Sequence, residues 1–233
     1  PSCPCSPDAR DARPTPYEAA PANAHVRRAA RAQESTMRIL LALLACAHAE
    51  IAVVCVGDSN TVGKRAASGH DYPAQLSRLL GSGYSVYAKG VGGRTMHSKA
   101  DEPYEDEEEY DDAREILEDA DVAIVVSIFG TNDAKAVNWD SVKGDWVDEY
   151  KKFIEVFEAL GATVIIGIPV PYLGNDVLLG NYVDMWAELD ICPINNVMPE
   201  MIRTIAADKG LGLVDAQQAF VDAYGASSVN DWV

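Results

Sequence analysis

The sequence has little of the residues that signal several common functions. Cysteine is scarce, with five in 233 residues. Cys3 and Cys5 fall in an N-terminal extension and Cys46 in a leader-like apolar run, which leaves only Cys55 and Cys192 beyond Glu50. That argues against a disulfide framework and against a cysteine-based metal cluster. Cys55 sits inside an apolar strand pattern and reads as a small buried hydrophobe. Positive charge is also scarce: 19 Lys and Arg stand against 36 Asp and Glu, a net charge of −17. Six of the arginines but only four of the acids precede Glu50, so the rest of the chain is more acidic still. Such a surface repels phosphate backbones and argues against nucleic acid as a partner. No apolar run approaches the roughly 20 residues that a membrane-spanning helix needs. There are no internal repeats, and no glycine-rich stretch carries the Gly-Lys-Ser/Thr ending of a P-loop.

What is present supports one packed domain. The chain is 48% hydrophobic and 24% charged, enough apolar surface to form a core. Residues 1–36 are rich in Pro, Ala and Arg without apolar periodicity, and read as disordered or as an upstream extension. Met37 and Arg38 then open a basic start, residues 39–46 form a short apolar run, and Ala47-His48-Ala49 has the A-x-A form of a cleavage site. Residues 37–49 are therefore expected to be a signal peptide, with a secreted protein starting at Glu50. The domain is expected over residues 50–233.

Within it, strand and helix patterns alternate. Residues 51–56 are apolar throughout and end in Gly57, as a buried parallel strand does. Residues 84–87, 122–128, 163–168 and 211–214 are further strand patterns, the second of them the most β-branched. Helical spacing covers residues 72–80, 146–160, 194–209 and 217–224, and residues 104–120 read as an acidic amphipathic helix or a pair of turns. Strands separated by helices imply βαβ units with right-handed crossovers. The fold expected is a three-layer α/β/α sandwich on a five-stranded parallel sheet, flavodoxin-like. The acid run at 101–112 is expected to be a solvated loop and helix start, with a cation site as the sharper alternative. Trp139 and Trp146 read as half-buried packing or as lining for an acyl or sugar pocket. Pro169-Val170-Pro171, after the fourth strand, is expected to shape a cleft wall.

In such a sheet, ligands bind beyond the carboxyl ends of the strands. The first strand ends in Gly57-Asp58-Ser59-Asn60-Thr61, placing a small hydroxyl residue at that edge. The second leads into Gly90-Val91-Gly92-Gly93-Arg94-Thr95, a turn that lets backbone N–H groups approach a ligand. The third ends in Gly130-Thr131-Asn132-Asp133, which supplies a side-chain amide donor. A nucleophile, a backbone donor and an amide donor are the parts of acyl transfer, whose tetrahedral intermediate carries an oxyanion. Each motif alone is an ordinary turn; their joint occurrence at successive strand ends carries the signal.

On these three motifs the sequence resembles the SGNH (GDSL-like) serine esterase family of lipases and acylhydrolases, from about Ile51 to the end. Tyr72-Pro73-Ala74-Gln75-Leu76 and the stretch from Ile194-Asn195-Asn196 through Ile205-Ala206 are similar to its esterase members. The resemblance implies Ser59 as catalytic nucleophile and an oxyanion hole made of the Ser59 N–H, the Gly93 N–H and the Asn132 side chain. Gly93 is preferred because Gly93-Arg94-Thr95 matches the family's G-x-T, with Gly92 the close alternative. Ala88 departs from the family, which often carries Asn before the glycine turn. No cofactor and no metal are implied.

The family's last block is D-x-x-H. Asn230-Asp231-Trp232-Val233 fits it as far as the aspartate, so the resemblance implies Asp231 as a catalytic residue, with histidine expected next. The histidines present are His25, His48, His70 and His97. The last two are the ones within the domain, and both are expected to be surface residues rather than the base. The chain is accordingly expected to be truncated at its C-terminus and inactive as it stands, since an unassisted serine hydroxyl is a weak nucleophile. The function expected is hydrolysis of carboxylic acyl esters, short-acyl esters such as acetylated carbohydrate first. A non-catalytic binding module on the same fold and a flavodoxin-like phosphate or nucleotide binder are the alternatives.

Overall fold

Five parallel strands stand in the order β2-β1-β3-β4-β5, the doubly wound order in which the chain reverses direction between β1 and β3. The computed structural model describes residues 49–172 and 193–224. The N-terminal extension, the leader up to His48, Cys192 and Asp231 lie outside the described residues. In chain order the elements are β1 (Ile51–Gly57), a one-turn helix α1 (Ser59–Val62), α2 (Tyr72–Leu80), β2 (Tyr84–Gly90), α3 (Glu108–Asp119), β3 (Val122–Ile128), α4 (Ala136–Val142), α5 (Trp146–Ala159), β4 (Thr163–Ile168), α6 (Met198–Lys209), β5 (Gly212–Asp215) and α7 (Ala216–Tyr224).

The central strands β1, β3 and β4 form because they are short, rich in β-branched residues and apolar on both faces, so each must be covered twice. Along β1, Val54 and Val56 face one core while Val53 and Cys55 face the other. On the first face the strands pack against Ala113 and Leu117 of α3, the aromatic row of α5 and Ile202 and Ile205 of α6. On the second face Tyr72, Leu76 and Leu80 of α2 cover Val53, Cys55 and Val126. The fold is thus the expected α/β/α sandwich. The first core is the larger and is rich in rings: Phe153 stands 5.2 Å from Phe157 and 5.6 Å from Phe129, both edge to face.

Several boundaries differ from the sequence reading for identifiable reasons. The acidic stretch splits into a tight turn at Tyr104–Asp106 and the helix α3; Tyr104 is fully buried and its hydroxyl donates to the Lys89 carbonyl of β2, which fixes the turn. Residues Pro193–Val197 form a wider turn, and α6 begins only at Met198. Pro199 sits in its first turn, where its missing N–H removes no helical hydrogen bond. The helix α4 has too short an apolar period to be visible in sequence.

Candidate active site

The register of β1 aligns Gly57 with Gly90 on one side and with Ile128 on the other. The loops that follow β1, β2 and β3 therefore leave the sheet at one level. The Val91 N–H donates to the Gly57 carbonyl at 2.9 Å, carrying the pairing one residue further. Two glycines let α1 drop into this gap. A Cβ on Gly57 would stand 2.1 Å from Thr61 Oγ1, and one on Gly90 would stand 2.6 Å from Thr61 Cβ. No side chain fits at either position without moving α1.

Ser59 is the first residue of α1 and is half-buried. Asp58 caps the helix: its Oδ1 accepts from the Asn60 N–H at 2.8 Å and from the Asn60 side chain at 3.0 Å. Asn60 in turn donates to Thr131 Oγ1 at 3.2 Å, tying the serine turn to the loop after β3. Asp58 is fully buried, and its other carboxylate oxygen has no hydrogen-bond partner among the described residues. Burial pushes its carboxyl up to about 6, against the opposing pull of the Asn60 N–H, because a charge away from water is costly.

The glycine turn is held from the β3 side. Asn132 donates through Nδ2 to the Arg94 carbonyl at 2.9 Å. An amide nitrogen has two hydrogens, so one orients the group and the second is available to a ligand. Asp133, fully buried, accepts from the backbone N–H groups of Met96 at 3.1 Å and His97 at 3.0 Å and from the Trp146 indole at 3.0 Å. Its carboxyl is raised by burial, and those three donors oppose the shift. Asn138 adds a further tie, receiving the Asp101 N–H at 3.0 Å and donating to the Asn132 carbonyl at 3.1 Å. Asp101, Asn138 and the anchoring part played by Asp133 escaped the sequence reading. A buried-type apolar flank at Phe129 and Ala134 around the Asp133 carboxylate was the available signal.

Ser59, Gly93 and Asn132 line one cleft of about 590 Å³ at the carboxyl edge of the sheet. Gly92 lies beside them, where an added Cβ would be 3.8 Å from Ser59 Cβ. His70 is exposed, as expected, and lies on the wall of the same cleft. His97 is not the surface residue expected. It is fully buried, with Nε2 3.0 Å from Asp145 Oδ1 and Nδ1 accepting the Lys99 N–H at 3.1 Å. Both ring nitrogens are engaged, and the ring cannot serve Ser59. Trp146 is fully buried against Tyr150 and is not among the residues lining this cleft; Trp139 is half-buried against the larger core. Cys55 is buried as expected, and burial raises its thiol to about 11. The acid run is not simply solvated: Arg94 pairs with Glu102 at 2.9 Å and Glu107 at 2.5 Å, and Lys89 with Asp112 at 2.7 Å. Among the described residues no group of three His, Cys, Asp or Glu could hold a metal ion, and no helix is long and apolar enough to cross a membrane.

A doubly wound parallel sheet with a hydroxyl residue, a glycine turn and an amide donor gathered at its carboxyl edge is the arrangement of an acyl-transfer hydrolase. The sequence profile of the GDSL-like Lipase/Acylhydrolase family matches residues 55–231, and the chain belongs to that family. Among curated proteins it is similar to an acetylxylan esterase of Xylanibacter ruminicola, 45% identical over 93 residues, which are 38% of this chain and 18% of the relative. The chain thus matches less than a fifth of that relative's length. Among solved structures it resembles a carbohydrate acetylesterase family member from Sinorhizobium meliloti, with a TM-score of 0.55 at 21% identity over 71% of this chain and 82% of the other. It also resembles the aryl esterase of M. Smegmatis, with a TM-score of 0.54 at 16% identity over 71% and 83%. At these identities the two structures speak to the fold.

Proposed function

We propose that the protein hydrolyses short-acyl carboxylic esters, acetyl groups on carbohydrate first, with Ser59 as nucleophile. The observation that carries this is the convergence of Ser59, Gly93 and Asn132 on one cleft. Ser59 Oγ attacks the ester carbonyl carbon, and its proton passes to an imidazole base. The carbonyl oxygen becomes an oxyanion, which the N–H groups of Ser59 and Gly93 and the second Asn132 amide hydrogen receive. Collapse breaks the bond to the alcohol, which leaves with the proton; water then attacks the acyl-enzyme and releases the acid. The cap on α1 and the bond from Asn132 to Arg94 support a donor set arranged before substrate arrives. Asp231 belongs to the same proposal as the residue orienting the base. The leader-like sequence pattern of residues 37–49 supports secretion as the setting.

The test is hydrolysis of a p-nitrophenyl ester panel by the parent and by Ser59→Ala. Because the family block places histidine three residues after Asp231, the assay is run on the chain to Val233 and on the chain extended by that histidine and a following helix-length segment. The extended parent is expected to prefer acetyl over longer acyl esters. Ser59→Ala is expected to lose several orders of magnitude in kcat. Retention of activity within about threefold rejects Ser59.

A further inference from the structure

Charge around the cleft runs against the charge of the molecule. In a chain of net charge −17, the cleft is lined by Lys64, Arg65 and Lys135, against the single carboxylate of Asp71. Asp71 is turned to another task, capping α2 by accepting the Ala74 N–H at 2.8 Å. Lys135 leans on Asp101 at 3.4 Å. Lys64 is exposed and has no ion pair among the described residues. Away from the cleft, the described Lys and Arg side chains are ion-paired, as in Lys89 with Asp112, Lys151 with Asp208 and Arg203 with Asp215, apart from Arg78 on α2.

Lys64 is also placed by the nucleophile turn itself. Its backbone N–H donates to the Ser59 carbonyl at 3.0 Å, closing the left-handed end of α1 at Gly63. Its Nζ and Ser59 Cβ each lie 3.8 Å from the point where a Cβ on Gly92 would stand. The ammonium and Ser59 Cβ are therefore at most twice that distance apart, flanking the glycine turn with no side chain on Gly92 between them. Acids outnumber bases nearly two to one in this chain. A partnerless cation at this point gives the cleft a local positive potential that the rest of the surface lacks, and such a potential raises the local concentration of an anion.

We propose that the cleft selects esters whose alcohol part carries a carboxylate, an acetylated acidic sugar being the class, and that Lys64 reads that charge. The inference rests on the acetyl-ester proposal above: acetyl itself is uncharged, so the anionic group must lie on the alcohol side. Lys64 is a specificity residue here, not part of the chemical step.

The experiment separates this from the choice of nucleophile by reading binding in Ser59→Ala protein, where no turnover consumes the ligand. Calorimetric titration compares an acetylated methyl glucuronoside with the matching acetylated methyl glucoside. The acidic sugar is expected to bind about two- to fivefold more tightly at 20 mM salt, the scale of one exposed charge contact. That preference should shrink toward unity near 0.5 M salt as the charges are screened. Adding Lys64→Gln should abolish it and Lys64→Glu should reverse it, whereas Lys152→Gln, removing a lysine on α5, should leave it in place. Thermal melts of each variant verify folding. Equal affinity for the two sugars, no measurable binding of either, or a preference that survives Lys64→Gln overturns the inference. A preference that depends on Lys64, beside hydrolysis that does not depend on Ser59, upholds the charge selection and rejects the nucleophile instead.

Discussion

The Asp133 carboxylate accepts the indole N–H of Trp146 at 3.0 Å, and the same carboxylate receives the Met96 and His97 N–H groups. One buried side chain thus joins the end of β3, the start of α5 and the strand of chain leaving the glycine turn. Removing an acceptor from buried donors costs about 1–3 kcal/mol for each donor left unpaired. Asp133→Ala should therefore destabilise by at least about 3 kcal/mol in urea unfolding. Trp146→Phe loses one hydrogen bond and some ring volume and should cost about 1–3 kcal/mol, with KM unchanged because the ring lies outside the cleft. A large KM effect would place Trp146 in the substrate pocket after all.

Asn132 should act on kcat. Loss of one oxyanion donor typically lowers kcat by about 10²–10³, so Asn132→Ala should do so with little change in KM. Asn132→Asp keeps the shape but sets a carboxylate against the oxyanion, and should be at least as poor. Steady-state kinetics with an acetyl ester check both; a pure KM effect would assign Asn132 to substrate binding.

Asp58 should make stability depend on pH. Its carboxyl stands near 6 when folded, against an ordinary value of 3.8. A raised acid favours the folded state fully below about 3.8, and that contribution is lost as pH rises through 6. Two units correspond to about 3 kcal/mol. Asp58→Asn keeps a capping oxygen and cannot ionise. The stability of D58N relative to the parent should thus rise by about that amount between pH 4 and 7 in denaturant titrations. Parallel pH profiles for the two proteins would show that Asp58 does not titrate in this range.

The two histidines of the domain should behave oppositely. His97→Ala empties a fully buried site and removes the acceptor of the Lys99 N–H, while Asp145 keeps its pair with the Lys99 ammonium at 2.7 Å, and should lower stability by about 1–3 kcal/mol. His70→Gln, at an exposed position, should change kcat/KM by less than about tenfold. A loss of a thousandfold or more in H70Q, with folding intact, would make His70 the base.

Secretion should leave Glu50 as the first residue. Its N–H already donates to Asp121 Oδ2 at 3.0 Å, and cleavage would turn that donor into an ammonium facing the same carboxylate. The folded domain thus has a place for the new terminus. N-terminal sequencing of secreted protein decides it; Met37 or an upstream residue at the start would reject the leader.

The fold was legible where burial is decided locally. The runs at 122–128 and 163–168 are apolar enough to be strands in any context, and the structure places strands at the same residues. Helix α2 follows the expected bounds because Asp71 caps it and Pro73 sits in its first turn. That Ser59, Gly93 and Asn132 share one sheet edge was legible because each lies close after a strand end, at Gly57, Gly90 and Ile128. The anchoring roles of Asp133, Asn138 and Asp101 were not, because they include bonds across 36 or 37 positions of sequence, which no local period reports. His97 failed for the same reason: its burial depends on Asp145, 48 residues on.

The strand order has a consequence for how the protein is made. Ser59, Gly93 and Asn132 follow β1, β2 and β3, the first three strands to leave the ribosome and three neighbours in the sheet. Domains tend to fold from their N-terminal side during synthesis. Here each later strand adds to an open edge: β3 beside β1, then β4, then β5. No strand must be threaded between two already paired. The nascent chain can therefore set the three loops in register while β4 and β5 are still being translated, and the described lining of the cleft, which ends at Lys135, is complete before either is made.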